Sequence, residues 1–199
     1  MAGIGRWVQG IGVVALLVAA PSAAQQTEGE DRWWVSAGMG YGSVTLDDNQ
    51  GGEASHGTFA MSFSGGYAFG PRFRLGLLLG GWLLEASDMW DPAKGESVSH
   101  FALLLQGQPM SRLPLVLEAG AGRAAYTNGA PDASNTGGWM WTAGVGYDVH
   151  LGRALRLTPS MHFATGCYDS VDLPGSFSAD AYSVGEARIT AGWSWGARR

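Results

Sequence analysis

Charge is scarce in this 199-residue chain. Asp, Glu, Lys and Arg make up 15% of it, where soluble domains carry about a quarter. No Lys/Arg cluster occurs beyond the terminal pair Arg198-Arg199, and the net charge is −5, which argues against a nucleic-acid partner. Cysteine occurs once, at Cys167, so neither an internal disulfide nor a Cys-rich metal site can form. No internal apolar run reaches the ~20 residues a membrane-crossing helix requires, and no segment has helical periodicity. HExxH, P-loop and EF-hand patterns are missing too, and with them the common zinc-hydrolase, nucleotide-binding and EF-hand calcium classes. No cofactor and no metal site is therefore expected. The acidic tip Asp47-Asp48-Asn49 reads as solvated rather than as a cation site.

Apolar residues are abundant at 46%, with 32 glycines, nine tryptophans, seven phenylalanines and six tyrosines. Glycine weakens a strand unless the backbone must bend or interior space is short, and a small barrel imposes both conditions. Residues 1–24 are expected to be a signal peptide cut after Ala24. Arg6 supplies the positive start, Ile11 to Ala20 the apolar run, Pro21 a break, and Ser22-Ala23-Ala24 the small cleavage residues. Residues 25–199 then form a single exported domain.

Eight alternating segments follow a polar stub. They predict strands at Arg32–Leu46, His56–Phe69, Arg72–Ser87, Ser97–Gly107, Leu113–Thr127, Gly137–His150, Ala154–Tyr168 and Ala181–Gly196. The connections alternate. Gly70-Pro71, Gln108 to Arg112 and Leu151 to Arg153 are short; Asp47 to Ser55, Asp88 to Glu96, Asn128 to Thr136 and Asp169 to Asp180 are long and polar. Short turns on one side and long loops on the other mark transmembrane barrels.

The two faces of each strand differ. Phe73, Leu75, Leu77 and Leu79 share a face against Arg74, Gly76 and Gly80; Leu115 and Leu117 oppose Glu118, Gly120 and Gly122. Eight strands enclose an interior just wide enough for side chains, so small and polar residues are expected inside and the bulky apolar face outward, where only lipid can solvate it. A soluble ligand-binding barrel has the reverse arrangement. Arg123 breaks the outer pattern and is expected at an interface, where arginine costs little. Pro159 removes a ladder donor and predicts a bulge or a strand start. Trp33, Phe69, Phe73, Tyr147, Trp193 and Trp195 fall near the short turns, and Tyr41, Phe59, Trp139 and Trp141 near the long loops, as two interfacial girdles would require.

Arg74, Glu118, Asp148, Arg156, Glu186 and Arg188 have inward parity, as do His100, His150 and His162. They form either an ion path or a plug of paired charges, and the narrow interior favours the plug. Arg74 or Arg188 is the expected partner of Glu118. A lipid-modifying hydrolase needs a histidine-activated serine, but His162-Phe163-Ala164 and His100-Phe101-Ala102 offer no hydroxyl in the His-x-Ser sense, and His56-Gly57-Thr58 only a threonine. Among loop residues, Trp90 and Phe177 are the candidate contacts for a partner.

Two stretches carry a family resemblance: Trp34-Val35-Ser36-Ala37-Gly38-Met39-Gly40-Tyr41-Gly42 and Ala143-Gly144-Val145-Gly146-Tyr147-Asp148-Val149. Together with the turn into Leu155-Arg156-Leu157-Thr158-Pro159 they resemble the small outer-membrane β-barrel domains that include OmpA-like and OmpX-like proteins. The resemblance covers nearly all of residues 25–199. It implies an eight-stranded antiparallel up-and-down transmembrane barrel in the cell outer membrane of a Gram-negative-type envelope, long loops extracellular. Its implied partners are outer-membrane lipids and, during insertion, the barrel-assembly machinery. The implied role is non-enzymatic, structural or surface-interacting; a narrow pore or small-molecule conduit, or a lipid-modifying enzyme, are the alternatives. Such barrels usually end on an aromatic residue, whereas here Gly196-Ala197-Arg198-Arg199 follow Trp195.

Overall fold

The computed structural model describes residues 32–48, 53–70, 72–84, 97–110, 113–127, 136–152, 154–173 and 177–195. Their strands are β1 (Arg32–Asp48), β2 (Glu53–Phe69), β3 (Phe73–Leu83), β4 (Ser97–Gly107), β5 (Leu115–Thr127), β6 (Thr136–Tyr147), β7 (Val149–His150), β8 (Leu155–Leu173) and β9 (Phe177–Trp195). The two-residue β7 continues β6 beyond Asp148, so nine segments build eight staves. Every pairing is antiparallel, β1 pairs with β9, and β6 pairs with β8, which closes the sheet into a barrel.

The register fixes the barrel's geometry. Starting at Ala37 and stepping between paired residues leads through Phe63, Leu79, Phe101, Arg123, Trp139, Cys167 and Ala181 to Asp47, ten residues farther along the same strand. With ~4.8 Å between strands and ~3.3 Å per residue, that stagger tilts the strands by about 40°.

Leu75, Leu77, Leu79, Leu103, Leu117, Phe63 and Phe163 are exposed, whereas Arg156, Arg188 and Glu186 are buried. The apolar face is therefore the outer one. Fully burying each such side chain is worth roughly 1.5–3 kcal/mol, so water cannot be the solvent of this wall. Tyr41 stands eight residues after Trp33 on β1. The girdles they mark are separated by roughly 20 Å, close to the ~25 Å apolar band of outer-membrane barrels.

The wall is uneven. β1, β2, β8 and β9 have 17, 17, 19 and 19 residues, and β3 to β6 only 11 to 13. The four long staves are neighbours, in the order β2, β1, β9, β8. Where they pass the upper girdle their outer face changes from apolar to hydroxyl-bearing: Ser55, Thr45, Ser183 and Thr165 lie in one register row. This half of the wall projects beyond the belt as a water-facing sheet.

Three expectations are corrected. The connection expected from Asp169 to Asp180 is mostly strand, since β8 runs to Leu173 and β9 begins at Phe177; pairing within the projecting sheet overrides the polar composition that suggested a loop. The register does not shift at Pro159, which faces Ile189 directly. Instead the β6–β8 ladder lapses on the neighbouring stave, at Tyr147 and Asp148, and the Asp148 N–H donates to the Pro114 carbonyl at 2.8 Å. The interior is also not confined to small and polar groups. Trp34, Trp82, Tyr126, Tyr182, Leu104 and Met140 are among its fully buried side chains.

Candidate functional site

Inward glycines create the room for those bulky groups. A Cβ on Gly76 would stand 2.8 Å from the Trp34 ring, on Gly166 2.6 Å from Tyr182, on Gly144 2.7 Å from His162 and on Gly192 2.6 Å from Arg156. Each of these four glycines faces one large side chain, so at these positions glycine serves by volume rather than by flexibility.

The contents divide into two layers. Towards the long loops the interior is apolar: Val44, Leu46, Leu84, Val98, Tyr126 and Val184 pack with Trp82 and Met140. Towards the short turns it is polar, and Asp148 is its hub. The carboxylate Oδ2 accepts from Arg74 Nη1 and Nη2, both at 3.3 Å, and from Gln108 Nε2 at 3.2 Å, while Oδ1 accepts from Thr158 Oγ1 at 2.5 Å. Asp148 thus ties β3, the β4–β5 turn and β8 together at the short-turn end. The break in the ladder opposite Pro159 is what sets this carboxylate, 1% exposed, among those donors.

A second cluster lies deeper. Glu186 accepts from Trp82 Nε1 at 2.9 Å and pairs with Arg188. Glu118 accepts from Gln106 Nε2 at 2.7 Å and lies 3.5 Å from His162 Nε2. Arg156 lies over the Trp34 ring at 5.6 Å, and His100 stacks on Trp82 with ring centres 4.2 Å apart. A void beside Trp82, His100, His162 and Arg188 has no space for a water molecule.

All six charged residues singled out from the sequence line the interior, but the expected partnership differs. Glu118 pairs with neither arginine: Arg74 goes to Asp148, and Arg188 to Glu186 on its own strand. Residues i and i+2 of a strand share a face, so Glu186-Ala187-Arg188 already contained that pair. His150 has the expected parity, opposite the inward Arg156, but it is exposed at the short-turn mouth of the barrel rather than buried in the interior. Trp90 lies outside the described residues, and Phe177 is the first residue of β9, opposite Leu173, rather than a loop residue.

The sequence reading also passed over Ser160, two residues before His162. Its Oγ lies 3.0 Å from His162 Nε2, so serine, histidine and the Glu118 carboxylate meet inside the barrel. Both contacts fall on one ring nitrogen, whereas a catalytic base takes the nucleophile on one nitrogen and the orienting carboxylate on the other. His162 is also buried. The trio is a hydrogen-bonded filling, not a relay.

Comparisons with known proteins agree with this architecture. The outer membrane protein beta-barrel domain family matches residues 12–158. No curated protein matches. Among solved structures, Neisserial surface protein A is 11% identical with a TM-score of 0.59, over 84% of this chain and 100% of that one. This likeness shows the fold. The attachment invasion locus protein Ail of Yersinia pestis is 14% identical with a TM-score of 0.41, over 82% and 99% of the two chains. The N-terminal barrel of Pseudomonas aeruginosa OprF is 12% identical with a TM-score of 0.43, over 81% and 97%. A closed eight-stave barrel with its apolar face outward, together with a family match over most of the length, leads to one conclusion: this chain belongs to the outer membrane protein beta-barrel domain family.

Proposed function

We propose that the protein is a non-enzymatic barrel of the outer membrane that serves as a structural and surface-interaction element, its long-loop side turned outward. Residues 1–24 are its export signal, cut after Ala24, and the barrel-assembly machinery inserts the rest among outer-membrane lipids. The observation that carries this reading is the contrast between inside and rim. The interior is packed with apolar side chains and paired charges, and four adjacent staves rise past the apolar belt as a hydroxyl-faced sheet. Loops and strand ends on such a rigid support are where binding residues usually sit; Trp90 in a long connection and Phe177 at the end of the projecting β8–β9 pair are the proposed contacts.

The packing argues against an open pore, and the single-nitrogen geometry at His162 argues against serine hydrolysis. The direct test is binding of intact expressing cells to host-cell or matrix surfaces, comparing the wild type with a Trp90→Ala/Phe177→Ala variant of equal surface abundance. A several-fold loss of binding is expected; undiminished binding removes those residues from the contact. Stepwise conductance of the purified barrel in planar bilayers would contradict the plugged interior.

A further inference from the structure

Arg123 is the exception on the lipid-facing wall. It is exposed, and its register neighbours are Phe101 on β4 and Trp139 on β6. Its guanidinium carbon lies 5.8 Å from the Trp139 ring centre, and Nη2 lies 3.9 Å from where a Cβ on Gly137 would stand. The side chain therefore leans along β6 towards the long-loop rim. Every arginine lining the interior meets a carboxylate or an aromatic ring there. Arg123 has no carboxylate partner among the described residues, and its head stands at the level of the upper girdle.

Beside it the girdle has a gap. Gly81, Ser99, Ala125 and Gly137 occupy one register row across β3, β4, β5 and β6, all facing outward. No aromatic fills that row, and Ser99, Ala125 and Gly137 of it line a groove of about 440 Å³ bordered by Leu79, Phe101 and Arg123. The groove is open along the wall rather than enclosed, so its occupant must lie flat against the barrel. In a bilayer an apolar trough left empty forfeits its dispersion contacts, and an acyl chain is the group at hand to fill it. A guanidinium at headgroup depth with no carboxylate partner among the described residues finds its complement in phosphate, which its planar fork can bind through two parallel hydrogen bonds.

We propose that this groove binds an anionic, phosphate-bearing membrane lipid from the leaflet on the long-loop side. Arg123 holds the phosphate, Ser99 stands at the rim, and one acyl chain lies over Leu79 and Phe101. The site needs only that the wall face lipid. It does not depend on a loop partner, so its failure and that of the surface-interaction reading are separate results.

The test is native mass spectrometry of the refolded full barrel in detergent, titrated with lipid A and with dephosphorylated lipid A carrying the same acyl chains. The wild type is expected to prefer the phosphorylated form by about tenfold, as a charge-assisted bidentate contact allows. Arg123→Gln should abolish the preference, and Arg123→Lys should keep part of it. Ser99→Leu/Ala125→Leu, which fills the trough with lipid-compatible side chains, should weaken both lipids several-fold. Arg72→Gln, at a short turn, should change nothing. Heat-modifiability on gels verifies that each variant is folded. An unchanged preference in Arg123→Gln, wild-type binding in the filled variant, or displacement of the lipid by inorganic phosphate would each overturn the proposal.

Discussion

Asp148→Ala is the sharpest test of the polar plug. The substitution removes the acceptor for four donor atoms, from Arg74, Gln108 and Thr158. Asp148 is 1% exposed and the Arg74 side chain 15%, so the arginine keeps only partial access to water. Breaking a buried ion pair from one side costs about 3–5 kcal/mol, and Arg74's position near the rim places the loss near 3. That is about a hundredfold in the folded-to-unfolded ratio. The measurement is urea unfolding of the barrel in lipid vesicles, followed by tryptophan emission and by heat-modifiability. Asp148→Asn should lose less, because its carbonyl oxygen still accepts from Thr158. Arg74→Met combined with Asp148→Ala should cost less than the two single changes added together, since neither charge is then stranded. If Asp148→Ala shifts stability by under about 1 kcal/mol, or if the two changes are simply additive, the hub does not hold the short-turn end and the interior charges are independent.

Three further outcomes follow from the same geometry. Gly144→Val should destabilise the barrel by roughly 1–3 kcal/mol through overpacking against His162, with partial recovery in Gly144→Val/His162→Ala, read by the same unfolding assay. Leu77→Arg, between the girdles, should cost about 2–4 kcal/mol of stability in vesicles, whereas Tyr41→Arg at the upper girdle should cost ~1 or less; equal costs would misplace the belt. Thr45→Cys in a Cys167→Ser background should react with a membrane-impermeant maleimide on intact cells. Labelling only after the outer membrane is opened would reverse the proposed orientation.

Eight staves, their order and the direction of their greasy face were legible because side chains alternate strictly along a strand. Leu75, Leu77 and Leu79 against Arg74, Gly76 and Gly80 admits one placement in a cylinder this narrow. Arg123 was legible as an interfacial exception for the same reason. Strand length was less so. Composition marks Asp169 to Asp180 as polar, and polar residues serve equally in a loop and in a sheet that has left the membrane. Ser160 escapes a His-x-Ser pattern because that pattern extends only towards the C-terminus, although a strand puts i−2 and i+2 on the same face.

What the amino-acid order settles alone is parity: which residues face outward and which face the interior, and that a closed sheet is the outcome. What only the closed barrel decides is which interior groups touch. A stagger of ten residues carries side chains that are distant along the chain to the same height, brings Asp148 beneath Arg74 and Thr158, sets Gly76, Gly144, Gly166 and Gly192 each against a particular ring or guanidinium, and opens the groove beside Arg123. Those neighbours follow from tilt and shear, quantities of the whole ring that no single strand contains.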